Sequence, residues 1–141
     1  MKRTLHVITI YLFAFLSVTT SYSQEWENYL NGDNVTAIAE DGNYLYVGSN
    51  GGGLRKINKS TGDIIVYHKN NSGLTSNLIT AVAVDVNGDI WVGTRKGLAV
   101  FDGSNWNIIT DNLPDVYITA IAFDSDGNAW IGTKGGLVKI E

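Results

Sequence analysis

The stretch that decides the fold lies near the end of the sequence and reads ITAIAFDSDGNAWIGTKGGL, residues 118–137. Its parts recur in the same order as ITAVAVDVNGDIWVGTRKGL at residues 79–98 and as VTAIAEDGNYLYVGSNGGGL at residues 35–54. The threonines of the three copies are 44 and 39 residues apart. Self-similarity at a nearly constant period is the signature of a repeat architecture. The chain therefore contains one structural unit that is repeated three times.

Each unit consists of strand and turn signals. Short β-branched and aromatic runs alternate with clusters of Gly, Asn and Asp. The clusters at residues 85–89 and 124–128 predict tight hairpin turns with a glycine at positive φ, and residues 41–43 form a version that is one residue shorter. We predict four strands per unit. Strand a is the Thr-Ala run, strand b the Trp-Val-Gly-Thr run, and strand c begins at Gly-Leu. Strand d comprises the runs around Trp26, at residues 64–67 and at residues 106–109.

A period near 40 with four strands per unit is typical of a β-propeller blade. Strand a carries alanine at alternating positions, which suits the crowded axis where blades converge. The aromatic residue of strand b suits the wider gap further out. These aromatic residues, with the glycine two positions later, form the predicted structural repeat core: Tyr46, Trp91 and Trp130 with Gly48, Gly93 and Gly132.

The sequence thus predicts an all-β chain of three propeller blades, each of four antiparallel strands. The expected blades cover residues 31–67, 75–109 and 115–141, and an additional N-terminal strand covers residues 26–30.

The repeat resembles a known family. The pattern Thr-Ala-Ile-Ala-x-Asp-x-x-Gly-x-x-Trp-Ile-Gly-Thr-x-x-Gly-Leu is similar to the two-component regulator propeller repeat. The match is close in the second and third units. It is looser in the first, where Tyr46 replaces tryptophan and residues 49–53 contain an extra glycine. The resemblance implies the extracytoplasmic sensor region of a bacterial hybrid two-component system, often tied to carbohydrate use. It also implies a longer protein with more blades, a membrane helix and a kinase.

The N-terminus has the layout of a secretory signal peptide. Lys2 and Arg3 precede an apolar run from residue 5 to residue 18, and small polar residues follow up to Ser23. The alternative is an uncleaved anchor, but the run is shorter than the roughly 20 residues of a spanning helix. We therefore predict a signal peptide at residues 1–23, a mature domain at residues 24–141, and a periplasmic or secreted location.

Composition argues against several classes of function. The sequence has no cysteine, which excludes a disulfide scaffold, a thiol nucleophile and a Cys-ligated zinc site. The net charge of −4 argues against nucleic-acid binding, because such binding depends on Lys and Arg side chains that neutralise phosphates. His68 is the one histidine of the predicted mature chain, and no G-x-S-x-G motif accompanies it. We predict no catalytic residue and no enzymatic activity.

The Asp-rich turns resemble calcium loops only superficially. A calcium loop has glycine at position six and glutamate at position twelve. Here glycine is at position four, and position twelve holds Lys96 or Gly135. The turns are therefore predicted to be hairpins, and neither a metal nor a cofactor is expected.

The loops suggest one candidate binding face. In a propeller, the b–c and d–a loops share one face and the a–b and c–d loops share the other. The second face is strongly acidic, whereas the first is mixed in charge. We hypothesise that the mixed face binds a polar or anionic ligand such as a glycan, and the alternative is that these loop charges are simply solvated. The candidate ligand-binding residues are Asn50, Arg95, Lys96, Lys134 and Tyr117.

Three blades are fewer than the about four to eight of a closed propeller. In one account, strand Trp26–Leu30 pairs with strand c of a second copy, residues 137–140, and two chains form a six-bladed ring. In the other, the chain is a truncated fragment of a larger sensor. The functions that remain open are a binding or sensing module and a structural or protein-docking module of the cell envelope.

The signal peptide gives a direct prediction. Secreted material should begin at Gln24, because the small residues Ser21 and Ser23 are placed for cleavage before it. Intact-mass spectrometry measures this, and a retained Met1 would contradict it.

Overall fold

The computed structural model describes residues 25–30 and 33–141. The predicted signal peptide and its cleavage site lie outside these residues. The described residues contain eleven β-strands and no helix. The strands are β1 (Val35–Asp41), β2 (Tyr44–Ser49), β3 (Gly53–Asn58), β4 (Ile64–Tyr67), β5 (Ile79–Val84), β6 (Ile90–Thr94), β7 (Gly97–Phe101), β8 (Trp106–Ile109), β9 (Ile118–Phe123), β10 (Ala129–Thr133) and β11 (Gly136–Ile140).

The strands form three antiparallel sheets in which each strand pairs with its neighbour in sequence. We name them blade one (β1–β4), blade two (β5–β8) and blade three (β9–β11). The first strands β1, β5 and β9 lie next to one another, so they form the inner side of the stack and the later strands lie further out. The architecture is a partial propeller, and the prediction of an all-β fold built from propeller blades is confirmed.

The structure differs from the sequence prediction at the N-terminal strand. We predicted a strand at Trp26–Leu30, but residues 25–30 are not in a strand, and the Trp26 side chain is 87% exposed. The physical reason lies in the pairing pattern. β4 and β8 each pair with the strand that precedes them in the chain, and the described residues hold no strand before Trp26. Blade three accordingly has three strands.

The hairpin turns between the first and second strands form as the sequence indicates. Asp85 Oδ1 accepts hydrogen bonds from the backbone N–H groups of Asn87 and Asp89, at 2.8 and 3.0 Å. Gly88 has a φ of 85°, a value that glycine adopts without the steric cost of a Cβ atom. The turn at residues 124–128 repeats these bonds.

The blades meet through a close approach of glycine to a β-branched residue. A Cβ atom placed on Gly93 would lie 2.5 Å from Cγ2 of Ile118, the first residue of the next blade. Gly48 has the same relation to Ile79. Both isoleucines are almost fully buried. The glycines of β2 and β6 are therefore required by the blades that follow them.

The burial of the aromatic residue in each second strand also depends on the neighbouring blade. Tyr46 is buried between blades one and two. Trp91 packs edge-on against Phe123 of blade three, with ring centroids 5.5 Å apart. Trp130 is 37% exposed, because no blade packs on its side of blade three within the described chain. Blade contact therefore decides the burial of this position.

The close approach predicts the effect of adding a methyl group. Gly93→Ala should lower the free energy of unfolding by about 1–3 kcal/mol, the usual cost of overpacking a core. Ile118→Leu removes the clashing Cγ2 methyl at nearly constant volume. The double variant should therefore lose less than the sum of the two single losses. Urea unfolding measures all three variants, and strict additivity would contradict the proposed contact.

Candidate functional site

A β-bulge recurs in the first strand of every blade. The pairing of β1 with β2 passes directly from Val35 to Ala37, and that of β5 with β6 passes from Ile79 to Ala81. The pairing of β9 with β10 has the same irregularity. The residue left out is each time the repeat threonine, namely Thr36, Thr80 or Thr119. A bulge leaves its residue unpaired and re-aims its side chain.

The three bulged threonines line one cavity. It has a volume of about 300 Å³ and is also lined by Asn50, Ile79, Arg95 and Tyr117. Asn50 and Arg95 follow β2 and β6, and Tyr117 precedes β9. The cavity therefore lies at the face that carries the b–c and d–a loops. Backbone hydrogen bonds join these two sets of loops, including one of 3.0 Å from Lys134 N to Tyr117 O.

The threonine hydroxyls differ in their bonding. Thr36 Oγ1 donates to the backbone carbonyl of Ile79 at 2.7 Å and so links blade one to blade two. Thr80 Oγ1 is buried and has no hydrogen-bond partner in the described part of the chain. An unsatisfied buried hydroxyl costs about 1–3 kcal/mol. Thr80 is thus a polar group with unused bonding capacity that lines the cavity.

Two cations gather around Tyr117. Lys134 Nζ lies 4.2 Å from the centroid of the Tyr117 ring, and Arg95 Cζ lies 5.6 Å from it. Both distances fall within the range of cation–π attraction. The backbone N–H of Tyr117 donates to Asp115 Oδ1 at 2.7 Å, which fixes the loop that carries the ring.

The b–c turns place Arg95 and Lys134 at equivalent positions. Thr94 Oγ1 donates to the carbonyl of Gly97 at 3.0 Å, so the turn that carries Arg95 is closed by a side chain. Thr133 Oγ1 does the same with Gly136 at 2.8 Å. The last residue of the Trp-Val-Gly-Thr motif therefore positions the cation that follows it.

The carboxylates of this face do not neutralise the cations. Asp33 forms an ion pair with Arg55 at 2.8 Å, and Asp115 is engaged by the Tyr117 backbone. Within residues 25–30 and 33–141, neither Arg95 nor Lys134 forms an ion pair. The cavity rim therefore carries positive charge that an anionic ligand can meet.

The structure brings together most of the predicted ligand-binding residues. Asn50, Arg95 and Tyr117 line the cavity, and Lys134 stacks on Tyr117 at its edge. Lys96 is exposed and does not line the cavity. Sequence reasoning missed the three threonines as site residues. Their recurrence at one repeat position was a visible signal, but the bulges that aim them were not.

The opposite, acidic face uses its carboxylates for structure. Asp124 Oδ2 accepts a hydrogen bond of 2.9 Å from Trp130 Nε1, and Asp85 Oδ2 accepts one of 3.1 Å from Trp91 Nε1. Hydrogen bonds from Asn128 and Trp130 lower the pKa of Asp124 to about 2. No group of three His, Cys, Asp or Glu side chains in the described residues is arranged to hold a metal ion.

None of the described segments is a helix of the length and apolarity needed to cross a bilayer.

Two segments of the chain match a known family. Residues 73–96 and residues 112–135 each match the two component regulator propeller. The prediction of this repeat is thereby confirmed. No curated protein gives a significant sequence match to the chain.

Solved structures share the fold. One is the extracellular domain of a protein described as a putative hybrid two component system of B. thetaiotaomicron, with 25% identity and a TM-score of 0.62 over 86% of this chain. A second such domain from the same organism has 21% identity and a TM-score of 0.66 over 75% of this chain. Virginiamycin B lyase from Staphylococcus aureus has 15% identity and a TM-score of 0.60 over 84%.

The chain is much shorter than these proteins. It spans 18% and 15% of the two extracellular domains and 44% of the lyase.

The low pKa of Asp124 predicts a pH-dependent role. A carboxyl whose pKa is lowered by folding stabilises the folded state above its ordinary pKa, and this contribution is lost as the pH falls from about 4 towards 2. Asp124→Asn should therefore lower the melting temperature at pH 7 and have a smaller effect at pH 2. Asp126→Asn, in the same turn, is the control and should have little effect. Equal losses for Asp124→Asn at both pH values would contradict this role.

Proposed function

Because the chain carries two component regulator propeller repeats, we propose that it is a non-enzymatic binding and sensing module that works outside the cytoplasm. Its ligand is an anionic, hydroxyl-rich molecule, and an acidic glycan fits this description best. The site is the cavity lined by the bulged threonines together with Asn50, Arg95 and Tyr117.

The proposal rests on one observation, namely that several side chains that can form hydrogen bonds with a ligand line the same cavity. Thr80 holds a buried hydroxyl without a partner among the described residues, which a ligand in the cavity reaches after a small shift of the surrounding side chains. Asn50 adds an amide that both donates and accepts. These groups suit the hydroxyls of a sugar. Arg95 presents a planar fork of N–H donors that suits a carboxylate or sulfate. Together they favour a ligand that combines hydroxyls with negative charge.

The location of the module is inferred from its relatives. Both B. thetaiotaomicron structures are described as extracellular domains. The signal-peptide pattern of residues 1–23 agrees with an extracytoplasmic location.

A second candidate function is a protein-docking module of the cell envelope. It is favoured by the exposed apolar residues on the outer faces of blades one and three, where Ile38 is 63% exposed and Leu137 is 64% exposed. Contiguous apolar surface of this kind marks contact sites between proteins.

Charge reversal tests the ligand. Arg95→Glu and Lys134→Glu should each weaken binding of a uronic-acid oligosaccharide by at least about tenfold, because each removes a charge-assisted contact. Lys59→Glu, at the opposite face, is the control and should bind normally. Isothermal titration calorimetry with the acidic oligosaccharide and its neutral counterpart measures the change. A glycan array without binding, together with capture of an envelope protein, would favour the docking function.

Thr80→Val separates binding from folding. Valine has nearly the shape of threonine but removes the unsatisfied hydroxyl, so the free chain should be as stable as the parent or more stable. Binding of the same oligosaccharide should weaken because the ligand loses a hydrogen-bond partner. Unchanged affinity with unchanged stability would contradict the assignment of Thr80 to the site.

A further inference from the structure

The two blade junctions inside the chain are built from the same pair of residues. The glycine of a second strand faces the first residue of the next blade, as Gly48 faces Ile79 and Gly93 faces Ile118. Each half of this contact also occurs once without its counterpart. Gly132 of blade three faces no isoleucine, and Val35 of blade one, equivalent to the two isoleucines, is 41% exposed.

The outer faces of the end blades are apolar and match the faces that are buried at the internal junctions. Blade one has a cavity of about 260 Å³ on its outer face, lined by Val35, Ile38, Leu45 and Val47. Tyr29 and Leu30 of the N-terminal segment also line this cavity in the single chain, so the segment leaves it when it pairs with a partner copy. Blade three exposes Trp130 and Leu137. The residues equivalent to Leu137 in blades one and two are completely buried, and they are Leu54 and Leu98.

The outer edge of β11 lacks the partner that its equivalents have. β3 pairs with β4, and β7 pairs with β8, whereas β11 pairs only with β10. An unpaired edge presents free N–H and C=O groups to another strand. Within residues 25–30 and 33–141, blade three therefore has neither a neighbouring blade on its outer face nor a fourth strand.

Residues 25–30 have the sequence to supply that strand. In the register of β8, Trp106 lies opposite Phe101 and Ile109 lies opposite Leu98. The same register would place Trp26 opposite Ile140 and Glu27 opposite Lys139. Opposite charges directly across a strand pair are stabilising. Trp106 packs on Phe101 and Tyr67, and the equivalent Trp26 stands in solvent.

We propose that a second copy of this chain covers both faces. Blade three of one copy packs on blade one of the other, and residues 25–30 become the fourth strand of the partner copy's third blade. Each chain holds both halves of the junction, so two copies head to tail satisfy both faces and both edges. Such a contact is heterologous, and it ends in a closed particle when the rotation closes. The b–c loops of the two copies then share one face of a six-bladed ring.

The mass of the purified chain in solution tests this proposal. Light scattering coupled to size exclusion should give a particle of two chains. Val35→Asp, which puts a charge into the junction, should raise the dimer dissociation constant by at least about tenfold. Val86→Asp makes the same change at an exposed hairpin turn and should keep the dimer. Glu27→Lys and Lys139→Glu should each weaken the dimer, and the double variant should restore it, because both residues are exposed and the swap re-forms the pair. Lys139 also pairs with Glu141 at 2.7 Å within the single chain, so Glu141→Gln should leave the dimer intact.

The outcomes separate the possible occupants of the faces. A dimer that Val35→Asp dissociates, with rescue by the charge swap, supports the second copy. A folded monomer overturns the proposal and assigns the faces to blades of another polypeptide or of a longer chain. A mass that grows with concentration without reaching a limit also overturns it, since the rotation would then not close. A dimer that withstands both Val35→Asp and the charge changes uses a different surface and likewise overturns the proposal.

Discussion

The close approach of a glycine to the first side chain of the following blade is the contact on which the rest of the structure depends. Gly48 and Gly93 leave room for Ile79 and Ile118, and each isoleucine is buried as a result. Without that room the sheets would stand too far apart for Tyr46 and Trp91 to fill the space between them. The repeat is conspicuous in the sequence because every junction imposes the same demand for a small residue and a β-branched one.

The same contact organises the candidate site. Blades that pack closely bring their first strands side by side, and the bulge in each first strand turns a threonine out of the ladder. Three ordinary hydroxyls thereby converge on one cavity. The loop residues Asn50, Arg95 and Tyr117 complete it because the b–c and d–a loops end on the same face. The proposed binding site thus arises from repetition of a structural unit rather than from one specialised loop.

Much of the fold was predictable from the sequence because each signal was local. Alternating apolar residues predicted the strands, and Asp-x-Asn/Asp-Gly clusters predicted the hairpin turns. The grouping of Asn50, Arg95 and Tyr117 followed from the loop order of a propeller. The role of the threonines was not predictable from the sequence. Side chains that alternate regularly along a strand give no indication that the strand has a bulge at Thr80. Residues 25–30 form no strand within the single chain, because strand pairing depends on a partner strand that no local pattern supplies.

If the repeat threonines of the three blades form one ligand site, a ligand must affect all three of them together. NMR spectroscopy of threonine-methyl-labelled protein during titration with an acidic oligosaccharide measures this. The methyl signals of Thr36, Thr80 and Thr119 should shift together with one dissociation constant, and Thr61, in a turn of the opposite face, should not shift. Saturable binding that moves the Thr61 signal and leaves the Thr80 signal unchanged would show that the ligand binds elsewhere.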